Sequence, residues 1–373
     1  MSKAIVIKDK LAKDAVLEIS YVLSQLIPDF ASDSFINDAC LGLEQRQLKQ
    51  RVDHIINVLG SFLPDDFNEA AQLLLQLKSH WPKQQSQQPG WFSFAAWPVI
   101  DYVGVYGLEH PELALDVLEN LTSLFSAEFA VRPFIETHFE LTHRRMLAWT
   151  QHDDAHVRRL ASEGCRPRLP WGKQLKTLRL QPAPVIEILE QLKDDPSLYV
   201  RKSVANNLND ISKDHPSLVI SLCQTWRSEA SNERKWIIKH ALRTLIKAGQ
   251  PSAFEVLAYN PQPQLLVLNF QLTPQSLSLG HDIEMALSLR SESSEQQTIV
   301  LDYKVHHIKA NGQSTSKVFK WKTLTLMPFE HYDLIKKHPI KLISTRMYYA
   351  GIHLVEIVIN GRVFIQNQFE LTI

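Results

Sequence analysis

The sequence predicts a mainly α-helical repeat solenoid followed by a small all-β sandwich. Three observations carry this. Apolar residues recur at helical spacing through roughly the first 258 residues. A short motif returns at periods near forty in the middle of the chain. Beyond about residue 264, apolar and polar residues alternate with period two. A chain of 373 residues also exceeds one ordinary core, so two domains are expected, at residues 1–258 and 259–373.

Within residues 43–62, Leu48, Val52, Ile55, Ile56 and Leu59 share one helical face. Pro64 ends that helix, and Asp65-Asp66 can cap the next, near residues 67–77. Residues 84–90 read as a polar, glutamine-rich loop, and residues 111–125 as a further helix. From Ala148 the repeat begins. Val157-Arg158-Arg159-Leu160-Ala161 follows the acidic turn Asp153-Asp154. Val200-Arg201-Lys202-Ser203-Val204 follows Asp194-Asp195-Pro196. Ile237-Ile238-Lys239-His240-Ala241 follows Ser231-Asn232-Glu233. The spacings are 43 and 37 residues. Such periods suggest HEAT-like paired helices, which bury their apolar faces only against their neighbours and expose a concave face. In this alignment Arg158, Arg201 and Lys239 are equivalent, so the repeat is expected to present a row of cations.

Asn260-Pro261-Gln262-Pro263 reads as a linker. After it, Ile283, Met285, Leu287 and Leu289 alternate with polar residues. So do Ile299, Leu301, Tyr303 and Val305, and then Val355, Ile357 and Ile359. Asn311-Gly312 and Asn360-Gly361 are hairpin turn signals. About seven short strands in this length fit an immunoglobulin-like sandwich without a disulfide.

Composition excludes several classes. The 12 glycines are too few for a glycine-rich phosphate loop to be expected. The three cysteines, Cys40, Cys165 and Cys223, form no CxxC pair, which excludes a zinc ribbon and a disulfide scaffold. No signal peptide is read at Met1-Ser2-Lys3-Ala4. The most apolar window, residues 91–108, is broken by Pro98 and Asp101 and is not read as a membrane span. A cytoplasmic protein is expected. The net charge of zero is unevenly spread: residues 1–150 carry −7, residues 151–250 carry +6 and the rest +1. A basic middle third suggests an anionic partner such as nucleic acid, the alternative being a solvated surface.

One segment concentrates chemistry: Ser162-Glu163-Gly164-Cys165-Arg166-Pro167-Arg168-Leu169-Pro170-Trp171-Gly172. A carboxylate is followed by two arginines and a tryptophan, and two prolines pre-order the backbone. Trp171 can offer its face to a cation or a nucleobase, or it can plug the core of a stiff inter-repeat loop.

Arg166 to Gly172 resembles a signature of the AlkC-type DNA alkylation-repair glycosylases. So do Phe129-Ala130-Val131-Arg132-Pro133-Phe134-Ile135, the run from Val200 to Lys213, the segment around Leu63-Pro64-Asp65-Asp66-Phe67, and the segment from Trp97 to Leu108. The resemblance covers about residues 40–250, and the sandwich is similar to the extra domain of one branch of that family. It implies a monofunctional glycosylase that hydrolyses the N-glycosidic bond of cationic N3-methylated bases, 3-methyladenine above all and 3-methylcytosine besides, in alkylated duplex DNA. It implies a monomer without cofactor, metal or membrane, with the lesion left largely stacked. The family's essential acidic positions match Glu128, Glu163 and Asp210, with Trp171 as aromatic partner. That chemistry suits the residues. A cationic base leaves without a general acid, a fixed carboxylate stabilises the oxocarbenium-like sugar and positions water, and an aromatic face favours a cation.

Arg158, Arg166, Arg168, Lys173, Arg201, Lys202, Lys239 and Arg243 are the expected DNA contacts. Two lysine patterns add to them: the helix stripe Lys235, Lys239, Arg243 and Lys247, and the hairpin cluster Lys304, Lys309, Lys317, Lys320 and Lys322. A metal at His152 and His156, or a Trp149–Asp153 catalytic pair, is disfavoured because an acidic repeat turn explains those residues better. The competing reading is a non-catalytic HEAT scaffold that binds protein partners or damaged DNA.

Overall fold

The computed structural model describes residues 7–82, 93–343 and 346–373. Met1 to Ala4, the glutamine-rich loop expected at 84–90 and the start of the apolar window at Trp91 lie outside the described residues. The first helices are α1 (Lys13–Leu26), α2 (Ser32–Cys40), α3 (Leu48–Phe62) and α4 (Phe67–His80). As the sequence suggests, Leu63-Pro64 closes α3 and Asp66 caps α4, its Oδ1 accepting from the Asn68 N–H at 2.9 Å. Then come α5 (Ala96–Tyr106), buried on nearly all sides, and α6 (Pro111–Leu121).

The remaining helices of this unit are α7 (Arg132–Thr137), α8 (Phe139–Trp149), α9 (Ala155–Gly164), α10 (Lys176–Leu180), α11 (Ala183–Leu192) and α12 (Leu198–Ile211). Helices α8 and α9 form one repeat pair, α11 and α12 the next, and α9 packs along α12. Val157 and Leu160 on α9 and Val200, Val204 and Leu208 on α12 are buried. Among the described residues no helix is long and apolar enough to cross a membrane.

The second unit starts with α13 (Pro216–Arg227), α14 (Asn232–Ala241), α15 (Arg243–Lys247) and α16 (Pro251–Val256). Among the described residues eight strands follow, against about seven expected from the sequence: β1 (Leu265–Thr273), β2 (Ser276–Ser278), β3 (Asp282–Ser291), β4 (Gln297–Ile308), β5 (Ser314–Leu326), β6 (His331–Pro339), β7 (Gly351–Ile359) and β8 (Arg362–Thr372). They form two sheets, ordered β1-β3-β6 and β2-β8-β7-β4-β5, in which the short β2 pairs with β8 in parallel and the other described pairings are antiparallel. The period-two residues Ile283, Met285, Leu287, Leu289, Ile299, Leu301, Val305, Val355 and Ile357 face the shared core. Asn360-Gly361 makes the β7–β8 turn with φ of 44° and 81°, the left-handed pair a two-residue hairpin requires. The line between compact units falls at Asp214/His215, earlier than the change from helix to strand at residues 257–264. Helices α13–α16 therefore group with the sandwich.

The repeat alignment needs one correction. The helix caps set the true register, and they are Asp154, Ser197 and Ser231. Counted from them, Arg158 and Arg201 are equivalent, and Lys235 rather than Lys239 is their counterpart. Nor do Arg158 and Arg201 form a free row of cations. Arg158 Nη1 donates to the His152 and Asp153 carbonyls at 2.8 Å each, and its Nε donates to Asp195 at 2.6 Å. Arg201 Nη1 donates to the Asp195 and Pro196 carbonyls at 2.8 Å each. Both guanidinium groups fold back to close the turn before their own helix. A turn that leaves several carbonyls unpaired needs such a donor, which is the physical reason an Asp turn precedes a Val-Arg helix start.

Candidate active site

Glu163 lies in the last turn of α9, where it has Arg159 one turn before it and Arg166 just beyond the helix. Arg159 Nη2 approaches Glu163 Oε1 at 3.4 Å, and its Nη1 lies 2.9 Å from Glu128 Oε2. Arg166 Nη1 donates to Glu163 Oε1 at 2.7 Å, and its Nε donates to Asp210 on α12 at 2.8 Å. The result is an alternating chain, Glu128–Arg159–Glu163–Arg166–Asp210, extended by Lys213, whose Nζ lies 3.0 Å from Asp210 Oδ1. Serines take other oxygens: Ser126 Oγ donates to Glu128 at 2.7 Å and Ser203 Oγ to Glu163 at 2.6 Å. All three carboxylates are buried, as is Arg166. Buried charges survive only when paired and hydrogen-bonded in this way.

Two glycines let the backbone close around the turn that carries Glu128. A Cβ on Gly164, at the end of α9, would meet Val131 Cγ1 at 2.6 Å. One on Gly104, in α5, would meet the Ala130 carbonyl oxygen at 2.8 Å. Neither contact leaves room for a side chain, so α5 and α9 hold residues 126–131 from two sides.

The electrostatics separate the carboxylates. Burial works to raise Glu163, but the Arg159 and Arg166 guanidinium groups outweigh it and hold the carboxyl below its ordinary range. Glu128 moves the other way, raised by burial and by the nearby Glu163 charge, which Arg159 only partly offsets. Arg159 also stacks its guanidinium 4.7 Å above the Tyr199 ring.

The loop after α9 is fixed from below by Arg132. Its Nη1 donates to the carbonyls of Gly164 at 2.8 Å and Arg166 at 3.0 Å, and its Nε to that of Lys173 at 2.8 Å. Burial lowers this guanidinium to about 10. The clamp ties both ends of the loop to one side chain. At its apex Trp171 adopts a left-handed backbone, φ 64°, and is 62% exposed. A bulky residue in that region costs about 1–3 kcal/mol, so surrounding structure must impose it. Trp171 therefore does not plug the core; the loop displays it.

The other expected DNA contacts divide. Arg166 is inside the carboxylate chain. Arg168 is held by both Asp214 oxygens, at 2.8 and 2.9 Å. Lys173 is exposed and meets Glu136 at 2.8 Å. Lys202 is exposed on α12. Lys239 and Arg243 belong to the second unit.

Residues 124–245 match the family model described as DNA alkylation repair enzyme, and residues 266–373 match that of the C-terminal Ig-like domain of the uncharacterised protein YhaZ. The uncharacterised protein YhaZ of Bacillus subtilis (strain 168) is 36% identical over 360 residues, covering 96% of this chain and 97% of that protein. The structure of Pseudomonas fluorescens alkylpurine DNA glycosylase AlkC, bound to DNA containing an abasic site analog, superposes with a TM-score of 0.92 at 34% identity, covering 99% of this chain and 100% of that one. The chain belongs to the AlkC-type family of DNA alkylation-repair enzymes. It carries that family's helical fold with a C-terminal Ig-like β domain.

In this AlkC-type chain the sequence reading left out Arg159 and Asp101. Asp101 sits four residues after Trp97 in α5, and the Trp97 Nε1–H donates to its Oδ2 at 2.8 Å. Lys49 approaches the same oxygen at 3.8 Å while lying over the Trp97 and Phe129 rings, 5.1 and 4.8 Å from their centroids. Asp101 Oδ1 is buried without a hydrogen-bond partner. Asp101, Lys49 and Phe129, together with Trp171, line a groove of about 470 Å³, with Trp97 buried behind Asp101. The signal was in the sequence: a Trp and an Asp one turn apart inside an otherwise apolar helix.

Burial pushes Asp101 up to about 7, against the pull of Lys49 and the Trp97 N–H. A carboxyl raised in the folded state keeps a proton that the unfolded chain has lost. Its stabilising contribution is therefore complete below about pH 4 and disappears as pH rises to about 7. Asp101→Asn is expected to remove that slope. Relative to wild type, the variant should gain roughly 2–3 kcal/mol between pH 5 and pH 8, at about 1.4 kcal/mol per unit over the part of the range below 7. Urea titrations followed by helical circular dichroism check this, and a constant difference across pH contradicts it.

Proposed function

We propose that this chain is a cytoplasmic, monomeric and monofunctional DNA glycosylase. It hydrolyses the N-glycosidic bond of cationic N3-methylated bases, 3-methyladenine first and 3-methylcytosine second, in alkylated duplex DNA, without a cofactor. The observation that carries the reading is the buried Glu163, held ionised between Arg159 and Arg166, next to a loop that forces Trp171 outward. The oxocarbenium-like sugar needs a fixed negative charge, and Glu163 supplies one that no longer has to be desolvated or oriented. Glu128, raised by its surroundings, is the better proton acceptor for the attacking water. Asp210 holds Arg166 in place from α12. Trp171 offers a π face to a positively charged base. Hydrolysis rather than lyase chemistry fits the lysines, since Lys173 and Lys213 each rest on a carboxylate and neither offers the desolvated amine a Schiff base needs.

The experiment is release of free methylated base from alkylated duplex DNA in a single turnover. Release of 3-methyladenine supports the reading, and intact alkylated DNA after prolonged incubation with folded protein overturns it. DNA affinity should fall roughly tenfold to a hundredfold between 50 and 200 mM salt, the loss for about two to four neutralised phosphates. Anisotropy titration measures it, and salt-independent affinity contradicts phosphate contact.

A further inference from the structure

Arg132 begins α7 a few residues after Glu128 and is followed by Pro133, whose ring fixes the entry into that short helix. Arg132 is only 3% exposed, yet among the described residues all of its hydrogen bonds go to backbone carbonyls. Arg159 and Arg166 differ from it, since each is held between two carboxylates. A buried guanidinium without a carboxylate partner costs stability, and an apolar side chain would fill the same space more favourably. What an apolar side chain could not supply is a planar fork that aims several N–H groups in fixed directions.

The fork reaches three backbone points. Nη1 joins the Gly164 carbonyl, next to Glu163, to the Arg166 carbonyl, where the loop leaves α9. Nε and Nη2 both donate to the Lys173 carbonyl, just past Trp171. The loop between is closed on itself. The Leu175 N–H donates to the Pro167 carbonyl at 3.3 Å across its neck, and the Gly172 N–H donates to the Leu169 carbonyl at 3.1 Å. A Cβ on Gly172 would lie 3.1 Å from the buried Leu169 and 3.4 Å from Arg132 Nε, so the apex is seated on both side chains. One side chain, from the segment that carries Glu128, therefore sets where Trp171 stands relative to Glu128 and Glu163. The carboxylates have their own supports in Arg159, Arg166, Ser126 and Ser203.

We propose that Arg132 is a positioning residue for lesion recognition, holding Trp171 where its ring meets a cationic base beside the carboxylate chain. The proposal rests on the glycosylase reading for its reaction and on the clamp alone for its geometry. A misplacement of about 1 Å can cost roughly a hundredfold in rate. Lysine keeps the charge of Arg132 but not its fork, so Arg132→Lys loosens the loop without removing the cation.

The test compares the full chain with Arg132→Lys, Trp171→Ala and the double variant, with circular dichroism and thermal melts as folding controls. Should Arg132→Lys melt below the assay temperature, Arg132→Gln, which keeps a neutral donor, takes its place. Single-turnover release of methylated base from alkylated duplex DNA, at saturating protein, is expected to slow by on the order of 10–100-fold in Arg132→Lys. Affinity for duplex DNA carrying an abasic analog, which offers no base to the ring, is expected to change by less than about threefold. In the Trp171→Ala background the same substitution slows release by less than about threefold, because its effect passes through a ring already removed. Equal losses in the two backgrounds overturn the proposal, as does a loss of affinity that matches the loss of rate. A second readout needs no bond breakage. Fluorotryptophan labelling gives each of the eight tryptophans a fluorine resonance, and Trp171→Phe assigns that of Trp171. Arg132→Lys is expected to shift or broaden this line and to leave those of the buried Trp149 and Trp226 in place. An unmoved Trp171 line overturns the clamp. A shifted line together with no base released by the wild type counts against the glycosylase reading alone.

Discussion

Glu163→Gln is expected to leave a folded, DNA-binding protein whose excision of 3-methyladenine is slower by on the order of 10²–10³, the usual loss when one preorganised electrostatic group is removed. The amide keeps the shape and one acceptor oxygen but not the charge facing the oxocarbenium-like sugar. The alternating chain makes this variant foldable. Without the Glu163 charge, Arg159 still has Glu128 at 2.9 Å and Arg166 still has Asp210 at 2.8 Å. Neither guanidinium is left alone in the interior, so the cost is that of one imperfect hydrogen bond, about 1–3 kcal/mol. Ser203, which donates to Glu163 Oε2, must turn its hydrogen elsewhere. Single-turnover base release with a thermal melt on the same preparation decides the matter. A well-folded variant that excises at the wild-type rate would move the essential charge to Glu128 or Asp210.

The fold was legible in the sequence because its signals are local. Period two in residues 283–289 and 299–305 reports a half-buried strand wherever the partner strand lies, and Asp66 caps α4 with its own next turn. The ionic connections were not legible because their partners are remote. Arg158 and Arg159 are neighbours in sequence and about 100° apart around the helix. One closes its turn and meets Asp195; the other joins Glu128 to Glu163. Arg166 and Arg168 resemble phosphate ligands in a basic loop, yet Asp210 and Asp214 hold them. Those acids lie within residues 151–250 and are already part of its count, so the excess of +6 stands; what a charge count cannot register is which of the arginines are held inside the fold. Repeat register was misread for a related reason: apolar positions recur on several turns of one helix, whereas a cap occurs once.

Arg166→Ala tests that internal role directly. If Arg166 were a phosphate ligand, removing it would weaken DNA binding and leave stability alone. The geometry predicts the reverse order of effects. Its guanidinium joins Glu163 at 2.7 Å to Asp210 at 2.8 Å, and both carboxylates are almost fully buried. Taking away the cation leaves two buried negative charges with one fewer partner. Breaking a buried pair from one side typically costs about 3–5 kcal/mol, because the remaining charge stays desolvated. For a helical unit of roughly 200 residues that corresponds to a fall in Tm of roughly 6–20 °C. Arg166→Lys should recover part of the loss, since an ammonium keeps the charge but cannot span both carboxylates as the planar fork does. The Glu163 carboxyl, relieved of one of its two cations, should also rise toward its ordinary range, so excision should weaken further as pH falls. Thermal melts of the three proteins, with DNA affinity measured below the lowest midpoint, separate the two roles. Unchanged midpoints together with a large loss of DNA affinity would make Arg166 a DNA contact after all.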